Sequence, residues 1–416
     1  MNRAAARAFA IALVPFAAMF ALAVGRGSWT QDLGPFLLLY ALALWGCIRA
    51  ARVPLDRRTI LLGALVFRAL FVPLPPMLSD DIYRYVWEGR VQLAGFDPYL
   101  LAPNAPELAV LRDADWARIN HPEYTAIYPP LAQLGFRSLA ACGGVTWFKA
   151  AFCLVDLGLV AVLALVLERR GESASRAVLY AWNPLAVIEV ASSGHLEPLG
   201  ILPLVGAIVW ASWGGATRSA LGQGAALAAS VAVKYGAVLV TPLWGRRLGV
   251  RGWIAFTVVL AALAAGFLPA GSHLFDSLRA YAEHWRYNDL GFALLTTVVH
   301  DPQRARVVVF GIAVVGLVLA ARWRVPLERR VLAALAIALV FSPTLHAWYL
   351  LWPLALVPLA PSGVMLAWSG TIALAYLNAH PAFGSGPITS AAGSWWLRLA
   401  EMLPVAVVAW FARRRA

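Results

Sequence analysis

Two adjacent aspartates, Asp80 and Asp81, are the residues of this chain best suited to chemistry. They lie in the motif Leu78-Ser79-Asp80-Asp81-Ile82-Tyr83-Arg84-Tyr85, just after the prolines that end an apolar run. An ionised carboxylate can act as a general base that takes the proton of a hydroxyl nucleophile, and Arg84 follows one helical turn later. The structural alternative is that Ser79 or Asp80 caps a short helix and the remaining acid is solvated.

Further polar motifs stand between apolar runs. They are Trp87-Glu88-Gly89-Arg90, Gly95-Phe96-Asp97-Pro98-Tyr99, Asn120-His121-Pro122, Ile127-Tyr128-Pro129-Pro130, Trp182-Asn183-Pro184-Leu185, Gly194-His195-Leu196-Glu197, Val233-Lys234-Tyr235 and Ser342-Pro343-Thr344-Leu345-His346-Ala347-Trp348-Tyr349. An ionisable side chain in such an apolar context is a functional hypothesis by default. Structural alternatives exist: His195 could cap helix carbonyls, Lys234 could snorkel to an interface, and His346 lies in a proline-broken turn.

The elements that must position these residues are membrane helices. The chain has 416 residues, of which 61% are hydrophobic and only 13% charged. A soluble fold needs roughly a quarter of its residues charged. We therefore predict a single all-α polytopic membrane domain with about 13 or 14 transmembrane or re-entrant helices. The predicted runs are 8–24, 34–48, 59–76, 147–167, 177–192, 199–213, 252–268, 305–321, 331–345, 347–360, 364–378 and 396–412. The stretch 220–245 is interrupted by Lys234 and Gly236, which predicts a pair of short helices.

Arginine clusters between the runs predict the orientation of the chain. Most of the net charge of +13 comes from such clusters. Basic loops are retained in the cytoplasm, so we interpret this charge as a signal of membrane orientation and not of nucleic-acid binding. This places both termini in the cytoplasm and puts the loops 78–146, 269–304 and 379–395 on the outer side of the inner (cytoplasmic) membrane. The first loop is too long for a mere connector, so we expect a site there that faces the periplasm or exterior.

The set and order of these motifs, from about residue 60 to 350, resemble bacterial members of the GT-C superfamily of integral-membrane glycosyltransferases. The nearest branch is that of the polyprenyl-phosphomannose-dependent mannosyltransferases. The long first loop with its acidic motif matches this type. Glu197 departs from the pattern, because the resemblance leads us to expect Asp at that position.

The resemblance implies a function and a set of site residues. The acidic motif falls on Asp80 and Asp81, one of which would act as base while the acceptor hydroxyl attacks a hexose, expected to be mannose, with inversion. Asp80 is favoured because it lies nearer the preceding span. Polyprenyl phosphate would leave, and its charge would be met by Arg84, His195, Lys234 and His346. Substrate contacts are expected from His121, Tyr128, Glu197, Asn288 and Tyr349.

The expected partners are therefore a polyprenyl-phosphate sugar donor, a glycan or glycolipid acceptor of the cell envelope, and membrane lipids, with no nucleic acid. Paired aspartates could hold Mg²⁺ or Mn²⁺. A monophosphate donor can be neutralised by Arg, Lys and His, so we predict no cofactor and no essential metal. No phosphate-binding glycine motif of a nucleotide site is present.

Two other classes remain open at this point. A transporter or lipid flippase would use intramembrane Arg68, Asp156, Glu189 and Lys234 and would have a midplane cavity. Many transporters also have an internal repeat, and none is evident in this sequence. For Arg68, pairing with Asp156 or Glu189 would be purely structural. A scaffold or sensor without catalysis would give the polar clustering of the first loop no purpose.

Overall fold

All regular secondary structure in the described part of the chain is helical. The computed structural model describes residues 3–29, 33–213, 216–379 and 395–414. Within these ranges a lone parallel bridge joins Tyr287 to Thr344, and no strand forms. The predicted all-α class is confirmed. The predicted third loop, 379–395, lies outside the described residues except at its two ends.

The α-helices of the described residues are, in chain order, α1 (Arg3–Arg26), α2 (Leu33–Ala50), α3 (Arg57–Phe71), α4 (Asp81–Leu93), α5 (Pro130–Ala140), α6 (Val145–Arg169), α7 (Val178–Ala181), α8 (Pro184–Val187), α9 (Glu197–Trp213), α10 (Ala216–Val233), α11 (Gly245–Ala264), α12 (Asp276–His284), α13 (Leu290–Val299), α14 (Pro302–Arg322), α15 (Leu327–Val340), α16 (Leu351–Leu354), α17 (Gly363–Thr371) and α18 (Trp395–Arg413). Segments of 3₁₀-helix cover Pro106–Leu111, Trp116–Arg118, Ala174–Ala177, Tyr235–Trp244, Ala265–Phe275, Ala347–Leu350 and Ile372–Ala379, and a π-helical turn covers Ile188–Ser192.

Six helical stretches of the described residues are long and apolar enough to cross a membrane. They are Arg3–Arg26, Leu33–Ala50, Val145–Arg169, Tyr235–His284, Pro302–Arg322 and Trp395–Arg413. Four shorter apolar helices are Glu197–Ala211, Ser219–Val233, Leu290–Val299 and Gly363–Asn378. This is the composition of a polytopic membrane protein, as the sequence predicts.

Prolines break several runs that the hydropathy pattern presents as continuous. The predicted run 177–192 consists instead of a 3₁₀ segment, two single-turn helices and a π-helical turn. The break falls at Asn183-Pro184, where the proline nitrogen cannot donate to the helix and the Asn183 side chain accepts from the Leu185 amide at 3.0 Å. The run 347–360 is likewise reduced to a 3₁₀ turn and the four-residue helix α16.

The chain folds into two compact units. The first comprises Met1–Leu74, Val160–Glu189 and Trp285–Ala416, and the second comprises Pro75–Leu159 and Val190–His284. The first unit has an aromatic core in which Trp182 packs edge-on against Phe67 at 5.4 Å between centroids and donates to the Ile60 carbonyl. The aromatic ring of Trp182 fits because Gly63 has no Cβ, and one built there would lie 2.5 Å from the ring.

The second unit holds the acidic motif on α4. This helix packs against α5, and the Tyr85 ring stacks on Phe136 with centroids 4.8 Å apart and an interplanar angle of 6°. The two backbones approach closely at Gly89, where an added Cβ would lie 2.3 Å from the Phe136 carbonyl oxygen. The absence of a side chain at position 89 therefore sets the distance between α4 and α5.

We expect Gly89→Ala to lower the unfolding free energy by about 1–3 kcal/mol, because the methyl group forces two packed backbones apart. Gly135→Ala is the matched control, since no heavy atom lies within 4 Å of its added Cβ and helix propensity alone favours alanine by up to about 1 kcal/mol. Thermal unfolding of the detergent-purified variants measures both changes. Equal stability of the two variants would contradict the close-contact interpretation.

Candidate active site

The two aspartates of the acidic motif stand at the start of α4 without serving as its cap. Asp80 is the residue before the helix, and its side chain makes no capping hydrogen bond. Ser79 takes that role, because its hydroxyl oxygen accepts from the Asp81 amide at 3.3 Å. Both carboxylates are therefore available for other partners, and the capping alternative considered from the sequence falls to Ser79 alone.

Asn120 brings the two carboxylates together. Its Nδ2 group donates to Asp80 Oδ1 at 2.6 Å and to Asp81 Oδ1 at 3.1 Å. Two like charges repel each other, and a shared amide donor offsets part of that repulsion. Asn120 is the site residue that sequence reasoning missed. It stands in the motif Asn120-His121-Pro122, but a neutral amide carries no signal of its own beside an ionisable histidine.

The surroundings raise the pKa of both carboxyl groups. Asp80 is an exposed residue, but protein atoms surround its carboxyl group and partly desolvate it. This desolvation and the negative charge of Asp81 raise the pKa of Asp80 to about 6, whereas the hydrogen bond from Asn120 lowers it. Burial raises the pKa of Asp81, which is opposed by Asn120, by the positive charges of Lys234 and Arg84, and by a hydrogen bond with Tyr128. A carboxylate with a raised pKa is a stronger base than a solvated one.

His195 adjoins Asp81 from a buried turn. The histidine is fully buried, and its Nδ1 lies 4.0 Å from Asp81 Oδ2. Gly194 makes this turn possible, because it has φ +76° and an added Cβ would lie 2.3 Å from Ile82 Cδ1 of α4. The turn thus packs directly on the helix that carries the acidic motif.

Glu197 and Lys234 form an ion pair in the same unit. Lys234 Nζ donates to Glu197 Oε1, with the lysine side chain 20% exposed and the glutamate fully buried. Lys234 has extended backbone between α10 and the 3₁₀ segment Tyr235–Trp244, where the predicted interruption of 220–245 falls. The charges of this pair interact with the acidic motif. The positive charge of Lys234 stabilises the ionised form of Asp81, and the negative charge of Asp81 opposes ionisation of Glu197.

Tyrosines connect the acidic motif to the rest of the 78–146 segment. The hydroxyl groups of Tyr85 and Tyr128 are 3.1 Å apart, and Tyr99 donates to the Tyr128 carbonyl at 2.6 Å. Tyr128 therefore lies beside Asp81 as a member of a hydrogen-bonded group. His121 is adjacent in sequence to Asn120, has φ +48°, and places its ring Nδ1 3.3 Å from Glu123 Oε1.

Arg84 connects α4 to the main chain of residues 121–125. It is buried, and its Nε donates to Glu88 at 2.9 Å. Its two terminal nitrogens donate to the carbonyls of His121 at 3.0 Å, of Thr125 at 2.7 Å, and of Tyr124. These bonds use four of the five N–H donors of a guanidinium. Arg84 thereby fastens the chain around Asn120 to α4, and the binding of the donor phosphate by Arg84 stays a prediction.

Three predicted site residues belong to the first unit, namely Asn288, His346 and Tyr349. Asn288 has φ +49° and is buried, and its amide donates to Glu401 Oε2 of α18 at 2.7 Å. Its side chain is thus part of the packing of that helix, and its substrate contact stays a prediction. His346 stacks between Tyr287, at 4.7 Å, and Trp348, at 4.3 Å, and Tyr349 meets it edge-on at 5.4 Å. The roles predicted for His346 and Tyr349 stay predictions.

Arg68, one of the intramembrane charges that a transporter would use, donates to the carbonyls of Ala64 at 3.1 Å and Ala181 at 2.8 Å.

Among the described residues no group of three or more His, Cys, Asp or Glu side chains is arranged to hold a metal ion. Whether the reaction needs a divalent cation stays a matter of prediction.

Comparison with protein families places the chain among mannosyltransferases. Residues 12–250 match the family model described as alpha-(1->6)-mannopyranosyltransferase, N-terminal domain. The match covers more than half of the sequence, and the chain belongs to this MptA_B family. No curated protein and no solved structure matches the chain. The resemblance found from the motifs is confirmed, and membership supports glycosyltransferase activity with a role in mannosyl transfer.

The matched residues include the whole cluster described above, from Asp80 to Lys234, whereas Asn288, His346 and Tyr349 lie beyond it. A family of sugar transferases also favours the enzyme over the transporter or scaffold alternatives. A sugar donor and a glycan acceptor follow from this as the expected partners.

We expect Arg84→Lys to loosen the segment 120–125, because a single ammonium group cannot span Glu88 and three carbonyls. Loss of these bonds should reduce the unfolding free energy by on the order of 2 kcal/mol. Chymotrypsin cleavage after Tyr124, followed by mass spectrometry, should be faster than in the wild type. Arg90→Lys is the control, since Arg90 pairs with Asp113 at a more exposed position. Equal cleavage rates in both variants would contradict the anchoring role.

Proposed function

We propose that this protein transfers a mannosyl group from polyprenyl-phosphate mannose to a hydroxyl group of a lipid-linked or cell-envelope glycan. Family membership supports mannosyl transfer, and the donor and acceptor are the finer part of the proposal. The observation that carries it is the position of Asp81. Its carboxylate is 22% exposed, is held by Asn120, and lies beside buried His195, all within the family-matched residues.

Asp81 is the base in this proposal, although the sequence alone favours Asp80. Asp80 is exposed, and the partner that binds it is Asn120. Asp81 faces His195 and Tyr128 and is subject to the positive field of Lys234. A base must stay aligned with the reacting hydroxyl, and a carboxylate with several fixed partners meets that need better. Asp80 then acts through Asp81, whose proton affinity its negative charge increases.

The reaction is a single displacement. The acceptor oxygen attacks the anomeric carbon of the mannose while Asp81 takes the proton of that hydroxyl. The bond between the anomeric carbon and the phosphate oxygen breaks, and its electron pair leaves with polyprenyl phosphate. The phosphate needs no proton to depart, but its developing negative charge requires fixed cations. Lys234 and His195 are the candidates in the same unit as Asp81.

Displacement in one step inverts the anomeric carbon. The family description names an alpha-(1->6) product linkage. If this chain forms the same linkage, the donor must carry its phosphate in the β configuration. This relation follows from stereochemistry alone, so donors of the two configurations distinguish a single displacement from a double one.

The site is proposed to face the outer side of the inner (cytoplasmic) membrane. The arginine clusters support this orientation, because positively charged loops are retained in the cytoplasm and the 78–146 segment carries none of these clusters. The lipid tail of the donor would remain in the bilayer. Since the donor has one phosphate and the site offers Lys234 and His195, the proposal requires no divalent cation.

Asp81→Asn should reduce mannosyl transfer by about a hundredfold or more, because the amide cannot accept the proton of the acceptor hydroxyl. Asp80→Asn should reduce it less. The assay is release of polyprenyl phosphate from a synthetic donor by the purified protein in lipid nanodiscs. Asp115→Asn, a change on the same segment at a carboxylate 3.8 Å from Arg90, is the control and should keep the wild-type rate. Wild-type activity in Asp81→Asn would refute the assigned base.

The pH profile tests the coupling of the two aspartates. Only the ionised base is active, so the rate should fall as the pH decreases through the raised pKa of the pair, at a midpoint above the usual range of aspartate. Asp80→Asn removes the neighbouring negative charge, which lowers the pKa of Asp81. The midpoint of the acid limb should therefore move to lower pH. An unchanged or higher midpoint would contradict the coupling.

A further inference from the structure

The buried stretch from Ser192 to Glu197 contains side-chain oxygens whose hydrogen-bonding capacity is unused. Ser192, Ser193 and Glu197 are fully buried. The hydroxyl oxygens of both serines and Oε2 of Glu197 have no hydrogen-bond partner among the residues that the structure describes. In natural proteins almost all buried polar groups form hydrogen bonds, because an unpaired buried group destabilises the folded state. Three such atoms in six residues, next to the acidic motif, indicate a surface that a ligand completes.

Glu197 is the informative member of this group. Its Oε1 accepts from the ammonium group of Lys234, so the two side chains form an ion pair in which the carboxylate is ionised. An ionised carboxylate only accepts hydrogen bonds. The ligand atom that completes Oε2 must therefore be a donor, which excludes a phosphate oxygen and the ring oxygen of a sugar. The polar donors of a neutral hexose are its hydroxyl groups.

Lys234 restricts which hydroxyl can reach Glu197. The ammonium group has three N–H donors, so it can hold Glu197 and the donor phosphate at the same time. This step rests on the function proposed above. The anomeric carbon is bonded to that phosphate, and the C2 hydroxyl is on the next ring carbon, nearer to the phosphate than the hydroxyls at C3, C4 and C6. We propose that Oε2 of Glu197 accepts a hydrogen bond from the C2 hydroxyl of the mannose being transferred.

This contact would act on the rate as well as on selection of the sugar. Positive charge develops on the anomeric carbon as the phosphate departs, and it polarises the adjacent C2 hydroxyl. The hydrogen bond to a carboxylate therefore strengthens in the transition state. Glu197 becomes a specificity-determining residue that recognises the carbon at which mannose and glucose differ.

The test compares polyprenyl-phosphate mannose with donors that lack one hydroxyl, at C2, C3, C4 or C6. For each donor, the ratio of kcat/KM for mannose to kcat/KM for the deoxy sugar is measured in nanodiscs with wild type and Glu197→Gln. We expect a ratio of about a hundredfold for the 2-deoxy donor in the wild type, falling to about tenfold or less in the variant. The ratios for the other three donors should be the same in both proteins.

Glu197→Asp is the matched control for charge, because it keeps the carboxylate and withdraws it by one methylene group. It too should reduce the 2-deoxy ratio. If Glu197→Gln fails to fold because Lys234 is left without its partner, the double variant Glu197→Gln/Lys234→Gln removes both charges and gives the same comparison.

Two results would overturn the inference: a 2-deoxy ratio that is equal in wild type and variant, or a wild type that uses the 2-deoxy donor as well as the parent. Failure of the proposed function is a different observation, since the wild type would then release no polyprenyl phosphate from the parent donor.

Discussion

Two neighbouring carboxylates that share one amide donor are the constraint from which the rest of the site follows. Adjacent aspartates at the start of a helix repel each other, and without a common partner each would turn toward water. Asn120 donates to both, so it keeps Asp80 on the exposed side and Asp81 toward His195. The segment around Asn120 must therefore be fixed relative to α4. Arg84 and the tyrosines of the same segment supply that attachment.

The close approach of main chains explains why glycines stand where they do. Gly89 allows α4 to lie against α5, and Gly194 allows the turn with His195 to lie against Ile82. Both contacts are made by the helix that carries the acidic motif. The site thus depends on two positions that have no side chain, because the backbones that carry the ionisable groups approach closely at these glycines.

Much of this arrangement could be predicted from the sequence, because apolar content and motif composition depend on residue type. The helical membrane class, the break at Lys234 and the acidic motif follow in that way. Which residues contact each other in the folded protein cannot be predicted from residue type. Nothing in the sequence indicates that Asn120 donates a hydrogen bond to a residue forty positions earlier. The sequence also does not indicate that the guanidinium of Arg84 donates to the carbonyls of His121 and Thr125. Hydropathy also overestimates continuity at Asn183-Pro184, where a proline ends the helix without interrupting the apolar run.

The hydrogen bonds of Arg84 to residues 121–125 go to main-chain carbonyl oxygens, those of His121, Tyr124 and Thr125. Every amino acid has the same carbonyl, so this anchorage is indifferent to which residues occupy those places. A substitution within this stretch that leaves the main chain in place therefore keeps these carbonyls as acceptors for Arg84. The position of Asn120 beside the two aspartates is thus insensitive to side-chain identity at residues 121, 124 and 125.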